Sequence, residues 1–90
     1  MDFSKKITFP DTLFAQEVDG EMVLLDMNSE HYFGLDAVGT DIWRILSEGK
    51  SLEETVRELM EIYEVDEERL RRDLERFVNR LIDNGLARID

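Results

Sequence analysis

Few residue types in this 90-residue chain could do chemistry, and most of those present are acids. Twenty-two Asp and Glu stand against 11 Lys and Arg, with one histidine and no cysteine. Without cysteine there is no thiolate nucleophile, no disulfide framework and no thiolate metal site. His31 stands beside a turn in "DMNSEHYF", where the plain reading is an exposed strand residue. No serine or threonine has a histidine spaced to act as its base, and no glycine-rich loop could cradle a phosphate. The stretch "DMNSEHYFGLDAVG" invites a calcium-loop reading. It lacks the alternating ligands, the central glycine and the closing glutamate that such a loop needs. The expectation is a chain with no catalytic residue, no metal site and no cofactor, and so not an enzyme.

The acids carry a second message. A formal charge of −11 repels phosphate backbones and disfavours nucleic acid as a partner. The charge is uneven: residues 1–65 hold fifteen acids against five bases. The stretch Arg69 to Arg80 instead holds five arginines against Asp73 and Glu75. Such a run is either a solvated helix face laced with i,i+4 pairs or a basic strip suited to an acidic peptide. "MDFSKKITFPD" has no apolar h-region, and no apolar run approaches a bilayer span, so a cytoplasmic protein without membrane contact is expected.

The elements that position these groups follow from turns and periodicity. The length sets one domain over residues 1–90, with residues 1–10 expected as a loose N-terminal arm up to Pro10. Asp19-Gly20 between two apolar runs is a two-residue hairpin signal, because both positions tolerate positive φ. It places Val18 opposite Glu21, Gln16 opposite Val23 and Phe14 opposite Leu25. A second turn within Met27 to Glu30 brings in a third strand, with Leu25 facing Tyr32 and Leu24 facing Phe33. Leu13, Met22, Leu24, Phe33 and Leu35 then form the core face. Phe14, Val23, Leu25 and Tyr32 lie on the other side and are apolar too.

Three helices follow. Asp36 caps the first, whose stripe is Val38, Ile42, Ile45 and Leu46; Gly39 within it costs ~1 kcal/mol against alanine. Ser51 and Glu54 form a capping box for the second, whose stripe is Leu52, Val56, Leu59 and Tyr63. Asp66 caps the third, where Leu70, Leu74, Phe77, Val78, Leu81 and Ile82 recur at helical spacing. Asn84-Gly85 ends it and Leu86 packs back. The aromatics Phe33, Trp43, Tyr63 and Phe77 follow the core stripes. The fold expected is α+β and winged-helix-like: a three-stranded antiparallel sheet followed by three helices.

A winged-helix-like layout raises DNA binding by a regulator as one reading, but the second helix is rich in glutamate and carries only Arg57. A groove reader brings lysine, arginine, asparagine or glutamine to base edges. A structural subunit that touches only a partner enzyme is another reading. The third is a peptide added as a strand to the open edge of the last strand, with the final helix as the groove wall.

Those residues also resemble a known family. "VDGEMVLLDMNSEHYFGLDAVGTDIWRIL" followed by "SLEETVRELMEIYEVDEERLRRDLERFVNRLIDNGLA" is similar to the PqqD-like proteins, the leader-peptide-binding chaperones also called RiPP recognition elements. The matching features are the LLD run and turn, an aromatic pair before "GLDAVG", an Ile-Trp pair and "RDLERFVNRLIDNGL", covering roughly residues 12–88. The turn "DMNSEHY" and Trp43 depart from the quinone-pathway members and look more like the standalone domains of lasso-peptide and other peptide pathways. The resemblance implies that the leader of a ribosomally made precursor docks as a fourth strand. The docked peptide would then be presented to a modifying enzyme such as a radical-SAM maturase or a leader peptidase with its cyclase. Carried onto this sequence, the docking strand is Glu30, His31, Tyr32, Phe33 and Gly34. Leu70, Arg71, Leu74, Phe77 and Val78 would form the helix wall, with Val23 and Leu25 as floor. Arg71, Arg72 or Arg76 would meet acidic leader side chains. On that reading Phe33→Asp or Leu74→Glu should weaken leader binding without unfolding the chain.

Overall fold

A computed structural model describes residues 1–90, running β1 (Ile7–Thr8), β2 (Leu13–Val18), β3 (Glu21–Asp26), β4 (His31–Gly34), α1 (Ala37–Ser47), α2 (Leu52–Ile62), α3 (Glu67–Asp83) and β5 (Arg88–Ile89). Strands β2, β3 and β4 form one antiparallel sheet in that order, followed by the three helices, which is the expected α+β arrangement. Both hairpin registers agree with the alternation argument. Asp19 and Gly20 take φ of 53° and 84°, closing Val18 onto Glu21 and Phe14 onto Leu25. Beyond the second turn Leu24 faces Phe33 and Leu25 faces Tyr32.

The second turn is held by one buried acid. Asp26 Oδ1 accepts from the Thr12 hydroxyl at 2.9 Å and from the Asn28 N–H at 3.2 Å, while Oδ2 accepts from the Ser29 hydroxyl at 2.8 Å. These hydrogen bonds, the one from Ser29 foremost, keep the Asp26 carboxyl below its ordinary value. Glu30 completes the turn with φ of 61° and its N–H on the Asp26 carbonyl at 2.7 Å.

The core gathers leucines from every layer: Leu24 from β3, Leu46 from α1, Leu52 and Leu59 from α2, Leu74 and Leu81 from α3, and Leu86 behind the Gly85 cap. Fully burying each such side chain is worth about 1.5–3 kcal/mol, so the helices are fixed mainly by this contact. Asp36, Ser51 and Asp66 cap the three helices, and the Ser51–Glu54 capping box closes in both directions. One stripe differs from expectation. Val38 is exposed, while Gly39 and Thr40 are buried. The Thr40 hydroxyl accepts the Met22 N–H at 3.0 Å and so ties α1 to β3, a polar contact that an apolar periodicity cannot show.

Residues 1–10 are not a loose arm. Ile7 is buried and pairs with Ile89, and Thr8 pairs with Arg88, making a second, two-stranded sheet. The carbonyls of Lys5 and Phe3 accept the N–H groups of Leu52 and Glu53 at 2.9 and 2.7 Å. The physical reason is the first turn of α2, whose N–H groups have no partner within their own helix and take them from the arm.

Candidate functional site

An edge strand offers main-chain groups, and register decides which ones. β4 is bonded only to β3, so one side of it is open. The Leu35 N–H bonds back to the Met22 carbonyl at 2.8 Å. In an antiparallel pair, bonded and non-bonded positions alternate. His31 and Phe33 therefore turn their N–H and C=O groups toward β3, and Tyr32 and Gly34 turn theirs toward the open side. No side chain stands at Gly34, and a Cβ built there would meet nothing within 4 Å.

Beside this edge lies a groove of about 420 Å³ between β4, the start of α1 and α3. Phe33, Leu35, Val38, Ile42 and Phe77 make its apolar surface, and Asp73, Arg76 and Arg80 its polar rim. Gly39 forms part of the wall because nothing larger fits without displacement. A Cβ there would sit 3.2 Å from a Phe77 ring carbon and 3.2 Å from Asp36 Oδ1, which caps α1. The Arg80 guanidinium lies 5.2 Å from the centroid of the Phe33 ring, and Arg76 reaches Asp73 at 3.9 Å. The groove thus pairs an aromatic apolar cleft with two cations at its mouth.

The expected site residues divide. Phe33, Gly34 and Phe77 line the groove together. Glu30 and His31 are exposed at the start of the strand, and Tyr32 is 74% exposed on the sheet's outer side. Val23 and Leu25 do not floor the groove. They pair with Gly34 and Tyr32 and so share that outer side, whereas Phe33 and Leu35 face inward. Leu70, Leu74 and Val78 do not form the wall either, because they belong to the core with 5%, 0% and 0% of their surface exposed. Leu74→Glu is therefore a folding mutation rather than a binding one. Arg71 points away. It holds Glu53 at 2.6 Å and Glu67 at 3.1 Å, and its guanidinium covers the Phe3 ring at 4.9 Å.

The α3 groove residues that the sequence reading did not name as such, Asp73 and Arg80, had a signal of their own. Asp73, Arg76, Phe77 and Arg80 stand at i, i+3, i+4 and i+7, a second stripe about 100° around α3 from the core stripe at a 3.6-residue pitch. Phe77 sits on the border between the two stripes, and Arg71 lies on the opposite flank of the core.

Fold and groove together define a small winged-helix-like domain in which the open edge of β4, one of the sheet's two edge strands, lies beside an aromatic cleft. The family model for coenzyme PQQ synthesis protein D (PqqD) matches residues 21–87, and the chain belongs to that family. No curated protein matches it by sequence. Among solved structures it is similar to TbiB1 in complex with the TbiA(beta) leader peptide, at 40% identity and a TM-score of 0.85, covering 89% of this chain and 93% of that one. It is also similar to lasso peptide synthetase B1 complexed with the leader peptide, at 29% identity and a TM-score of 0.85, covering 92% of this chain and 98% of that one. No helix of the chain is long and apolar enough to cross a membrane.

Proposed function

We propose that this chain is a non-catalytic chaperone for a ribosomally made precursor peptide, binding its leader as a strand on β4 and delivering it to a modifying enzyme. The observation that carries the reading is the open edge of β4 set directly beside the cleft of Phe33 and Phe77. Main-chain bonds to Tyr32 and Gly34 would supply affinity, and alternate leader side chains would enter the cleft and set the register. Arg76 and Arg80 stand where an acidic leader residue would meet them. An exposed pair adds only ~0.2–1 kcal/mol, so these cations tune selectivity rather than dominate affinity.

Two likenesses support the same reading, since both solved structures hold a leader peptide. PqqD-like recognition elements are generally non-catalytic, and a carrier needs no reactive group of its own. The test is a ¹⁵N-HSQC titration with the leader segment of the small peptide encoded beside the chain. Shifts concentrated at Tyr32 to Gly34 and at Asp73 to Arg80 are expected. Absence of shifts with that peptide, combined with broad shifts on adding duplex DNA, would replace the reading with that of a regulator.

A further inference from the structure

The outer face of the main sheet is not finished by anything in the chain. Phe14, Leu25 and Tyr32 stand in one cross-strand row, with Val18 and Val23 beside them. Phe14 is 58% exposed, Val18 48% and Tyr32 74%. All three helices pack on the other side, where Leu24, Leu35 and the rest of the core lie. A contiguous apolar face of this kind on a small soluble domain marks a contact surface. Its surroundings are of one sign. From Leu13 to Gly34 the chain has five acids and no lysine or arginine, and Asp19, Glu21 and Glu30 stand exposed at the ends of the strands.

We infer that this face docks the enzyme that acts on the carried peptide, through an apolar patch on that enzyme rimmed by lysine or arginine. The inference rests on the strand-addition reading above and adds to it a second surface. Charge selects the occupant: two copies meeting face to face would oppose their acids, whereas a cationic rim would be drawn in. Geometry selects it again. A leader on β4 extends the sheet by one strand, so its outward side chains lie beside Tyr32 and continue the same face. The enzyme would then touch chaperone and peptide at once, and the loaded chain would bind it more tightly than the empty one. By linkage, the enzyme would tighten leader binding by the same factor.

The experiment measures binding of the purified maturation enzyme from the same biosynthetic locus to wild type, Phe14→Glu and Val18→Glu, each with and without leader. Both positions are on β2, away from the β4 edge, so leader titration into the same variants reports the strand-addition reading separately. The expected result is at least a tenfold loss of enzyme binding with leader affinity unchanged, and tighter enzyme binding by loaded than by empty wild type. Asp19→Lys and Glu21→Lys should slow association while leaving the apolar face intact, which keeps the test informative if either β2 variant folds poorly. Enzyme affinity unchanged in folded Phe14→Glu and Val18→Glu would overturn the inference. So would sedimentation showing a wild-type dimer that these variants dissolve, since the occupant would then be a second copy. Loss of leader binding in wild type would instead overturn the reading on which it rests.

Discussion

Gly34→Pro separates edge pairing from groove filling. In wild type the Gly34 N–H points to the open side and has no partner across the ladder, where Gly34 stands opposite Val23 in a non-bonded pair. Proline there removes no bond of the fold. Gly34 is outside the left-handed region and a Cβ added there meets nothing within 4 Å, and the melt reports whether the ring is accommodated. Phe33, already in a strand, has the backbone that a following proline favours. For an incoming peptide the change is severe. The leader carbonyl opposite Gly34 loses its donor and is left buried, a cost of about 1–3 kcal/mol. That corresponds to roughly a 5- to 150-fold rise in Kd, with the bulk of the ring at the edge adding to it. Fluorescence anisotropy with a labelled leader gives Kd, and thermal melting shows whether the fold is intact. Gly34→Ala keeps the N–H and should bind within about twofold of wild type. Phe33→Pro removes an N–H that the ladder uses, and should lower Tm as well. If Gly34→Pro melts and binds as wild type does, the peptide does not pair with β4 and the reasoning fails.

Other perturbations probe the groove and the turn. Arg76→Glu with Arg80→Glu should weaken binding of an acid-bearing leader about three- to tenfold, a difference that 500 mM salt removes, as anisotropy at two salt concentrations will show. Arg71→Glu should leave leader affinity unchanged and lower Tm, because Arg71 serves Glu53 and Glu67 instead. Glu30→Gly should raise stability by about 0.5–1 kcal/mol in chemical denaturation, since Glu30 holds a φ of 61° that glycine adopts without cost. Asp26→Asn should lower Tm at pH 7. Hydrogen bonds, the one from Ser29 foremost, hold the Asp26 carboxyl below its ordinary value, so its contribution is complete above the unfolded value and fades as pH falls through the lower folded one. The gap in Tm between wild type and Asp26→Asn should therefore narrow below about pH 4, and a constant gap down to pH 2 would contradict the assigned hydrogen bonds.

Strand register was legible because one face of the sheet is buried: a slip of one residue at the second turn would have sent Phe33 to the outer side and brought Tyr32 in. Helix starts were legible for a similar reason, since Asp36, Ser51 and Asp66 each supply an acceptor that the first turn lacks. The second small sheet was not. Two-residue strands have no period, and the partners Ile7 and Ile89 lie at opposite ends of the chain. The groove wall was misplaced for a more instructive reason. Periodicity finds the apolar stripe of α3, and residues so apolar as Leu70, Leu74 and Val78 are spent on the core. A groove beside a core is lined by the next stripe round, which mixes Phe77 with Asp73, Arg76 and Arg80 and reads in the sequence as an ordinary solvated face. Gly39 was legible as an anomaly, a residue costing a helix ~1 kcal/mol, but its cause is the Phe77 ring packed against it.

A protein that keeps a sheet edge open must avoid pairing with itself through that edge. Several features of this chain work against it. β4 is only four residues long, so a second copy could gain few main-chain bonds there. Glu30 begins the approach to the strand, and the whole chain carries −11, so two copies repel at long range in low salt. A flexible peptide differs on each count. It can lie in the cleft beside α3, fill the space above Phe77 and Gly39, and bring acids to the two cations at the mouth, none of which a folded copy's edge can do. Affinity for a peptide strand and resistance to self-pairing therefore come from one arrangement: a short edge that is worth little by itself, placed where only an extended partner can also reach the groove.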